Sequence, residues 1–337
     1  MKLPIILPIV LLSILAQSHQ RDFHNPVIAD SDNPDPGVVF YQNKYWAVTT
    51  SNGGAAVPDK FPIYSSSDLQ SWTFEGHVFP NGSLPVWTDI ATEFWAPEIH
   101  LINSQLRVYF SARDRKSGKM AIGVAFPKNS RNENSKNLTN HLQGWAGQDT
   151  PLIVDAAHDS IDATVIATPT NGTPTYYLAW HTDGGKFSPS PTIIVARPLS
   201  ADGLAVADPV ALLLAVSEKW EGRVVEAPWV VQRKGVFYLF YSGSDFCTKN
   251  YAVGVARSGT PLGPYEKFQQ PIMTSGNGWS GPGHCSVVVD YGAGVNGTES
   301  WAIVHHAWAG DEVCGGFNRL MNVRSVSWTS DGWPSVN

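Results

Sequence analysis

The chain has 337 residues, of which 43% are hydrophobic, 15% charged and 11% aromatic, and its formal net charge is −6. Many aromatic residues with this modest charge exclude an intrinsically disordered chain, and the length allows one large domain or two ordinary ones. No run of basic residues occurs, which argues against a nucleic acid or an anionic membrane as partner. A neutral or weakly cationic partner fits better.

Residues 1–18 have the features of a secretory signal peptide. Lys2 precedes an apolar run, and Ala16 and Ser18 place small residues where a signal peptidase cleaves. The run is shorter than the roughly 20 residues of a membrane-spanning helix, although an uncleaved anchor is the alternative. We therefore expect a secreted, extracellular protein that starts near His19.

Sequons and cysteines agree with secretion. Four N-x-S/T sequons lie in polar stretches typical of loops, at Asn81, Asn137, Asn171 and Asn296. The spacing of the three cysteines matches neither a zinc ribbon nor a CxxC redox motif. In an oxidising compartment two of Cys247, Cys285 and Cys314 can pair, and we expect Cys247 with Cys314, although the spacing alone does not decide.

A repeat dominates the rest of the chain. Helical periodicity is almost absent, and short runs of Val, Ile, Tyr, Phe and Trp alternate with turn residues, as in all-β proteins. Five similar segments each have an opening residue, an apolar strand, a polar turn and an aromatic-rich strand. They open, 58 to 67 residues apart, at Asp35, Trp95, Asp162, Glu226 and His284. A period of this size with about four strands per unit predicts a single five-bladed β-propeller over residues 19–337, with residues 128–148 as a loop between blades.

The repeat predicts where three acidic residues meet. The innermost strand of each blade lines the axis, so Asp35, Asp162 and Glu226 should converge at one end of it. Asp162 and Glu226 open consecutive blades, and two close carboxylates raise the pKa of one of them. Asp35 opens a blade that is not adjacent to that of Glu226, which leaves room for a water. This arrangement is typical of inverting glycoside hydrolases, whose two carboxyl groups lie roughly 6.5–9.5 Å apart, against about 5–5.5 Å in retaining enzymes.

Each of these residues then has an expected role. Asp35 would be the base that activates water, and Glu226 the acid that protonates the leaving oxygen. Asp162 would tune the acid and hold a sugar hydroxyl. The alternatives are a turn residue for Asp35, which lies between two prolines, and a strand-edge or capping residue for Asp162. An acid inside the apolar run VVEAPWVV has no such simple alternative, which favours a functional Glu226.

Glu98 is a rival acid. Aligning its preceding Ala-Pro pair with the Ala-Pro pair after Glu226 places Trp95, and not Glu98, opposite Glu226. We therefore interpret Glu98 as structural. Trp95 would face the pocket and stack on a sugar, with packing between blades as the alternative.

At these residues the chain resembles glycoside hydrolase family 43. The similar motifs, whose order and spacing together are specific, are Asn25-Pro26 with Pro34-Asp35-Pro36, Phe94-Trp95-Ala96-Pro97-Glu98, Ile161-Asp162 with Tyr176–Trp180, Glu226-Ala227-Pro228, His305–Trp308 and Asp331–Pro334. The acid motif of the family is usually Glu-Gly-Pro, so Ala227 is a mild departure. The resemblance implies a five-bladed propeller, with Asp35 as general base, Asp162 as auxiliary residue and Glu226 as general acid.

The resemblance also implies residues around the carboxylates. Family members often hold a calcium or another cation on the axis near a His of the closing blade, and His306 matches that His. The alternative is a hydrogen-bonded core His. Arg319 resembles an Arg of the last blade that reaches the pocket, and we expect Arg319 and His284 to bind substrate with Trp95. Neither an HExxH nor an EF-hand pattern occurs, so the chemistry is expected to need no cofactor or catalytic metal.

The family includes arabinanases, arabinofuranosidases, β-xylosidases and some galactosidases. The β-xylosidases often carry a further β-sandwich domain, whereas the sequence printed here stops after the fifth repeat. We therefore expect a monomeric inverting hydrolase of α-L-arabinofuranosidic linkages in plant-wall oligosaccharides or polysaccharides, of the arabinan endo-1,5-α-L-arabinosidase or α-L-arabinofuranosidase type.

Three other functions were compared with this expectation. The sugar could be xylose or galactose with the same mechanism. A sugar-binding propeller without catalysis would explain the aromatic residues, but not three carboxylates at equivalent positions. A retaining fructan hydrolase on a similar propeller usually has an Asn-Asp-Pro-Asn motif and a Glu-Cys pair, and the chain has neither.

Overall fold

The computed structural model describes residues 21–29, 31–51, 57–89, 93–128, 144–168, 174–183, 190–292, 299–315 and 318–337. The predicted signal peptide and the sequons at Asn137, Asn171 and Asn296 lie outside these ranges. The fourth sequon asparagine, Asn81, is exposed in a short 3₁₀ helix at Pro80–Gly82. A second one spans Lys219–Glu221. Within the described ranges, no helix has the length and apolar character to cross a membrane.

Five four-stranded antiparallel sheets form the blades, and each sheet follows chain order from its innermost to its outermost strand. Blade I contains β1 Gly37–Tyr41, β2 Lys44–Val48, β3 Lys60–Ser66 and β4 Thr73–Phe79. Blade II contains β5 Phe94–Ile102, β6 Gln105–Arg113, β7 Met120–Pro127 and β8 Trp145–Gly147. Blade III contains β9 Asp159–Thr168, β10 Thr175–Asp183, β11 Ile193–Leu199 and β12 Ala211–Ala215. Blade IV contains β13 Val225–Arg233, β14 Val236–Gly243, β15 Ala252–Ser258 and β16 Glu266–Lys267. Blade V contains β17 Trp279–Val289, β18 Trp301–Ala309, β19 Arg319–Trp328 and β20 Pro334–Val336.

The blades close into a ring. The innermost strands β1, β5, β9, β13 and β17 pack against one another in this cyclic order, and β17 returns to β1. Adjacent strands approach closely at the axis, since a Cβ atom on Gly37 would lie 2.5 Å from the Pro97 carbonyl oxygen. The five-bladed β-propeller predicted from the repeat is confirmed.

The segment before β1 joins the first blade to the last. Ile28 forms an antiparallel bridge with Met321 of β19, and the Asn33 amide donates to the Arg319 carbonyl 2.9 Å away. The Asn25 side chain donates to the Val323 carbonyl and accepts from its amide. Residues 25–33 therefore extend blade V, so that the chain leading into blade I holds the ring closed.

One predicted loop is partly a strand. Residues 128–148 were expected to connect blades, yet Trp145–Gly147 form β8, the outermost strand of blade II. The Trp145 side chain is fully buried in the aromatic core between blades I and II, together with Phe79 and Phe110. A three-residue strand is too short to show an alternating pattern, so its burial was hidden in the sequence. Residues 129–143 lie outside the described ranges.

Candidate active site

The site is built on a backbone feature that recurs where each innermost strand begins. One residue there has a left-handed backbone: the residues are Asp35, Ala96, Asp162, Ala227 and His284, with φ between 44° and 60°. In blades II to V this residue lies in a β-bulge. There the paired positions advance by three residues along the innermost strand and by two residues along the second strand. The bulge breaks the pairing at the mouth of the axis and redirects the side chains there.

The bulge corrects the alignment of the repeats. The left-handed residue is Ala227 in blade IV and Ala96 in blade II, so Glu226 and Trp95 each precede the position that Asp35, Asp162 and His284 occupy. The sequence-based alignment had treated all five opening residues as equivalent. The difference was hidden because the bulge depends on pairing with the second strand, so the sequence alone does not show which residue takes the left-handed position. Glu226 and Trp95 remain equivalent to each other, as expected from the Ala-Pro pairs.

A ring of polar side chains holds these bulges. The second strand of each blade, or in blade I the chain two residues beyond that strand, places a polar residue at the same level: Thr50, Ser111, His181, Ser242 and His306. Four of these side chains lie within hydrogen-bond distance of the left-handed residue's amide on the next blade, at 2.7–3.2 Å. His181 differs, because its Nδ1 lies 3.0 Å from Asp162 Oδ2, and that oxygen accepts from the Ala227 amide instead. Each blade thus positions the site residue of its neighbour.

Glu226 forms the centre of one side of the site. Its Oε1 accepts a 2.6 Å hydrogen bond from the Tyr251 hydroxyl, and the Asp162 carboxylate accepts from the amide of the following residue, Ala227, at 3.1 Å. A carboxylate oxygen of Glu226, a carboxylate oxygen of Asp162 and a ring nitrogen of His181 all lie within 4.8 Å of one another. Tyr251 fits because Gly283 has no side chain, as a Cβ atom there would overlap the tyrosine ring.

Burial and negative charge keep Glu226 protonated. Burial is the larger cause, and the Asp162 and Asp35 carboxylates add to it, so that the pKa of Glu226 rises to about 7. The pKa of Asp162 moves the other way, because His181 and His284 outweigh its burial. Below about pH 7, Glu226 is therefore a neutral acid beside the ionised carboxylate of Asp162.

Asp35 forms the centre of the opposite side. Its Oδ1 lies 3.1 Å from Arg319 Nη1, 3.1 Å from His306 Nδ1 and 3.4 Å from His284 Nδ1. Its Oδ2 accepts a 2.6 Å hydrogen bond from the Thr50 hydroxyl. Burial raises the pKa of Asp35, but the Arg319 guanidinium and the two histidines outweigh it and hold that pKa well below its ordinary value. Asp35 is therefore an ionised carboxylate.

The structure thus brings Asp35, Asp162 and Glu226 together, as the repeat predicted, and places Arg319, His284 and His306 around Asp35. Trp95 is partly buried at the position equivalent to Glu226, and its stacking on a sugar stays a prediction. Glu98 is buried deeper along β5, with its Oε2 2.8 Å from His100 Nε2. Burial, reinforced by the charge of Asp162, raises the pKa of Glu98 well above its usual value, and the structural interpretation of Glu98 stays a prediction.

Three contact residues were missed: Thr50, His181 and Tyr251. A signal existed for the first two, because every blade has a polar residue near the end of its second strand, and these residues could have been aligned. No comparable signal exists for Tyr251. It precedes the third strand of blade IV, and only the close approach of Gly283 brings it to Glu226.

Among the described residues, His306 belongs to no cluster of metal-ligating side chains, and the calcium expected there stays a prediction. Calcium takes six to eight oxygens, whereas His306 offers Nε2, a buried nitrogen with no hydrogen-bond partner among the described residues. Within the described ranges, the only group of three His, Cys, Asp or Glu donors with metal-binding spacing is Asp162, His181 and Glu226. Two carboxylates and one imidazole supply fewer oxygen ligands than calcium takes.

Comparison with known proteins agrees with this geometry. The chain is 23% identical over 322 residues to an extracellular endo-α-(1→5)-L-arabinanase of Bacillus subtilis (strain 168), covering 89% of this chain and 86% of the relative. It is 22% identical over 360 residues to an extracellular exo-α-(1→5)-L-arabinofuranosidase of Cellvibrio japonicus (strain Ueda107), covering 98% and 91%.

Solved structures show the same fold. A thermostable family-43 glycoside hydrolase superposes with a TM-score of 0.78 at 26% identity, covering 94% of this chain and 96% of that one. An α-L-arabinofuranosidase from Lactobacillus brevis superposes with a TM-score of 0.72 at 20% identity, covering 93% and 95%. The model of glycosyl hydrolases family 43 matches residues 23–334. The chain therefore belongs to glycosyl hydrolase family 43 and is an O-glycosyl hydrolase.

Proposed function

We propose that this protein is a secreted, inverting glycosidase that cleaves α-L-arabinofuranosidic linkages in plant-wall arabinan or arabino-oligosaccharides. The observation that carries the proposal is the opposite protonation of two carboxyl groups in one pocket. Glu226 has a pKa raised to about 7 and keeps its proton up to about neutral pH, whereas the pKa of Asp35 is lowered and its carboxylate is ionised. A base and an acid of this kind are what hydrolysis of a glycoside requires.

The ring order supports inversion. Asp35 belongs to blade I and Glu226 to blade IV, and the two are separated by the innermost strand of blade V. A water placed beside Asp35 attacks the anomeric carbon and gives its proton to the Asp35 carboxylate. The bond to the leaving oxygen breaks, and that oxygen takes the proton of Glu226. One displacement on the face opposite the leaving group inverts the anomeric configuration.

Asp162 has an auxiliary role. Its carboxylate accepts from the Ala227 amide and so fixes the backbone that carries Glu226, while its charge raises the pKa of that acid. The same carboxylate is available to a substrate hydroxyl. Arg319 keeps Asp35 ionised, and His284 and Trp95 are proposed to contact the sugar.

The sugar and the location rest on the relatives. The Bacillus subtilis protein is named as an extracellular endo-α-(1→5)-L-arabinanase, and the Cellvibrio japonicus protein as an extracellular exo-α-(1→5)-L-arabinofuranosidase. The apolar N-terminal run and the disulfide between Cys247 and Cys314 agree with secretion.

A substrate panel tests this proposal. Purified protein is incubated with linear arabinan and with nitrophenyl α-L-arabinofuranoside, β-D-xyloside and β-D-galactoside. We expect release of arabinose or arabino-oligosaccharides. Hydrolysis of only the xyloside or the galactoside would move the enzyme to the sibling activity, and binding to arabinan without hydrolysis of any substrate would contradict the proposed function.

A further inference from the structure

Two loops beside the base are joined by a covalent bond. Cys247, in the loop between β14 and β15 of blade IV, forms a disulfide with Cys314, in the segment after β18 of blade V. The predicted pairing is therefore confirmed, and Cys285 stays free and buried. Lys249 and Asp311 form a second contact between the two loops at 2.9 Å. Both of these side chains are largely exposed, so the ion pair contributes little and the disulfide is the main link.

Phe246, next to Cys247, presents an aromatic ring at the mouth of the site. Phe246 is 38% exposed, whereas half of the phenylalanines in the described ranges are buried in the cores between blades. The Arg319 guanidinium carbon lies 5.2 Å from the ring centroid, and Nη1 of the same guanidinium lies 3.1 Å from Asp35 Oδ1. The ring is therefore separated from the Asp35 carboxylate by one side chain.

The backbone of Phe246 is held from blade V as well. Its carbonyl accepts a 3.3 Å hydrogen bond from the Trp308 indole nitrogen of β18. The disulfide at the next residue and this hydrogen bond thus both tie Phe246 to blade V. This fixed ring, partly open to water beside Arg319 and Asp35, is a surface that a bound ligand can cover.

We propose that Phe246 is a substrate-specificity residue on which a sugar ring of the oligosaccharide stacks, and that the Cys247–Cys314 disulfide holds it in place. This inference rests on the proposed function, since the ligand is the oligosaccharide cleaved at the Asp35–Glu226 site. The ring gives a sugar a flat apolar surface for its C–H groups, and Arg319 beside it orients the sugar hydroxyls. Phe246 acts on binding, so it affects KM more than kcat.

The test compares Phe246→Ala, Phe246→Tyr and the wild type on linear arabino-oligosaccharides. Phe246→Ala is expected to raise KM about tenfold with kcat changed by no more than about twofold, and Phe246→Tyr is expected to match the wild type. Phe74→Ala is the control, because Phe74 is also an exposed phenylalanine but lies on the outermost strand of blade I. It should change neither parameter.

The disulfide is tested by the double substitution Cys247→Ser and Cys314→Ser. In this double variant, KM is expected to rise as in Phe246→Ala, and kcat is expected to change by no more than about twofold. A reductant should raise the KM of the wild type but not that of the double variant. An unchanged KM in Phe246→Ala would overturn the inference. So would a loss confined to kcat with a shifted pH profile, because the ring would then act through Arg319. Either result in an active wild type leaves the proposed function standing, whereas an inactive wild type contradicts that function itself.

Discussion

The two sides of the pocket differ in the neighbours that they give to chemically similar carboxyl groups. Glu226 lies beside the Asp162 carboxylate and a tyrosine hydroxyl, and its pKa is raised to about 7, first by burial and then by the charge of Asp162. Asp35 is also buried, yet the Arg319 guanidinium, His284 and His306 hold its pKa well below the ordinary value. Burial is common to both residues, so the neighbouring charges decide which carboxyl keeps its proton.

The difference is set by the blades on either side. Blade III gives Glu226 an anionic neighbour, and blade V gives Asp35 a cation and two imidazoles. The same bulged strand start, repeated around the axis, therefore produces an acid on one side and a base on the other. Substitutions that remove the base or the acid should therefore abolish activity. Substitutions that change only a neighbour of one carboxyl group should shift the pKa of that group and move one limb of the pH profile of activity.

The largest effect is expected from Asp35→Asn. Loss of the base removes activation of water for every substrate, so kcat should fall by about 10²–10⁴-fold on both aryl glycosides and arabinan. Steady-state kinetics measure this. Asp290→Asn is the control, a buried carboxylate where β17 ends, and it should keep activity. A fully active Asp35→Asn enzyme would remove Asp35 as base.

Glu226→Gln should have a large effect that depends on the substrate. The acid is needed most when the leaving group is a poor one, so kcat on arabinan should fall by about 10²–10⁴-fold, and less on nitrophenyl glycosides. The ratio of the two losses is the measurement. Equal losses on both substrates would contradict the assignment of Glu226 as acid.

Arg319→Met tests the base side through its charge. Without the guanidinium the pKa of Asp35 rises, so the base becomes protonated at a higher pH and the acidic limb of kcat/KM moves upward. Activity should therefore be lost more at pH values below the optimum than above it. A parallel loss across the whole pH range would show that Arg319 does not tune the base.

The smallest effects should appear on the acid side, in opposite directions. Activity requires protonated Glu226, so the alkaline limb follows its pKa of about 7. Asp162→Asn removes a negative charge that raises this pKa, so the limb should move to lower pH. Tyr251→Phe removes a hydrogen bond that stabilises the carboxylate, so the limb should move to higher pH. Shifts of the same sign in both variants would contradict this account.

The repeat made most of the fold predictable. Aromatic-rich strands bounded by turns recur at a nearly constant period in this sequence. That period alone predicts that Asp35, Asp162 and Glu226 meet at one end of the axis. The one-residue offset of Glu226 was not visible, because a bulge depends on pairing with the next strand. Tyr251 and Phe246 reach the site from connections outside the repeat, and nothing local in the sequence sets their direction.

The central claim is a single displacement between an ionised Asp35 and a protonated Glu226. The most direct measurement is proton NMR of the sugar first released from an α-L-arabinofuranoside, recorded before mutarotation. The account predicts the β-anomer, formed by inversion. Initial release of the α-anomer would show retention and would contradict the proposed geometry.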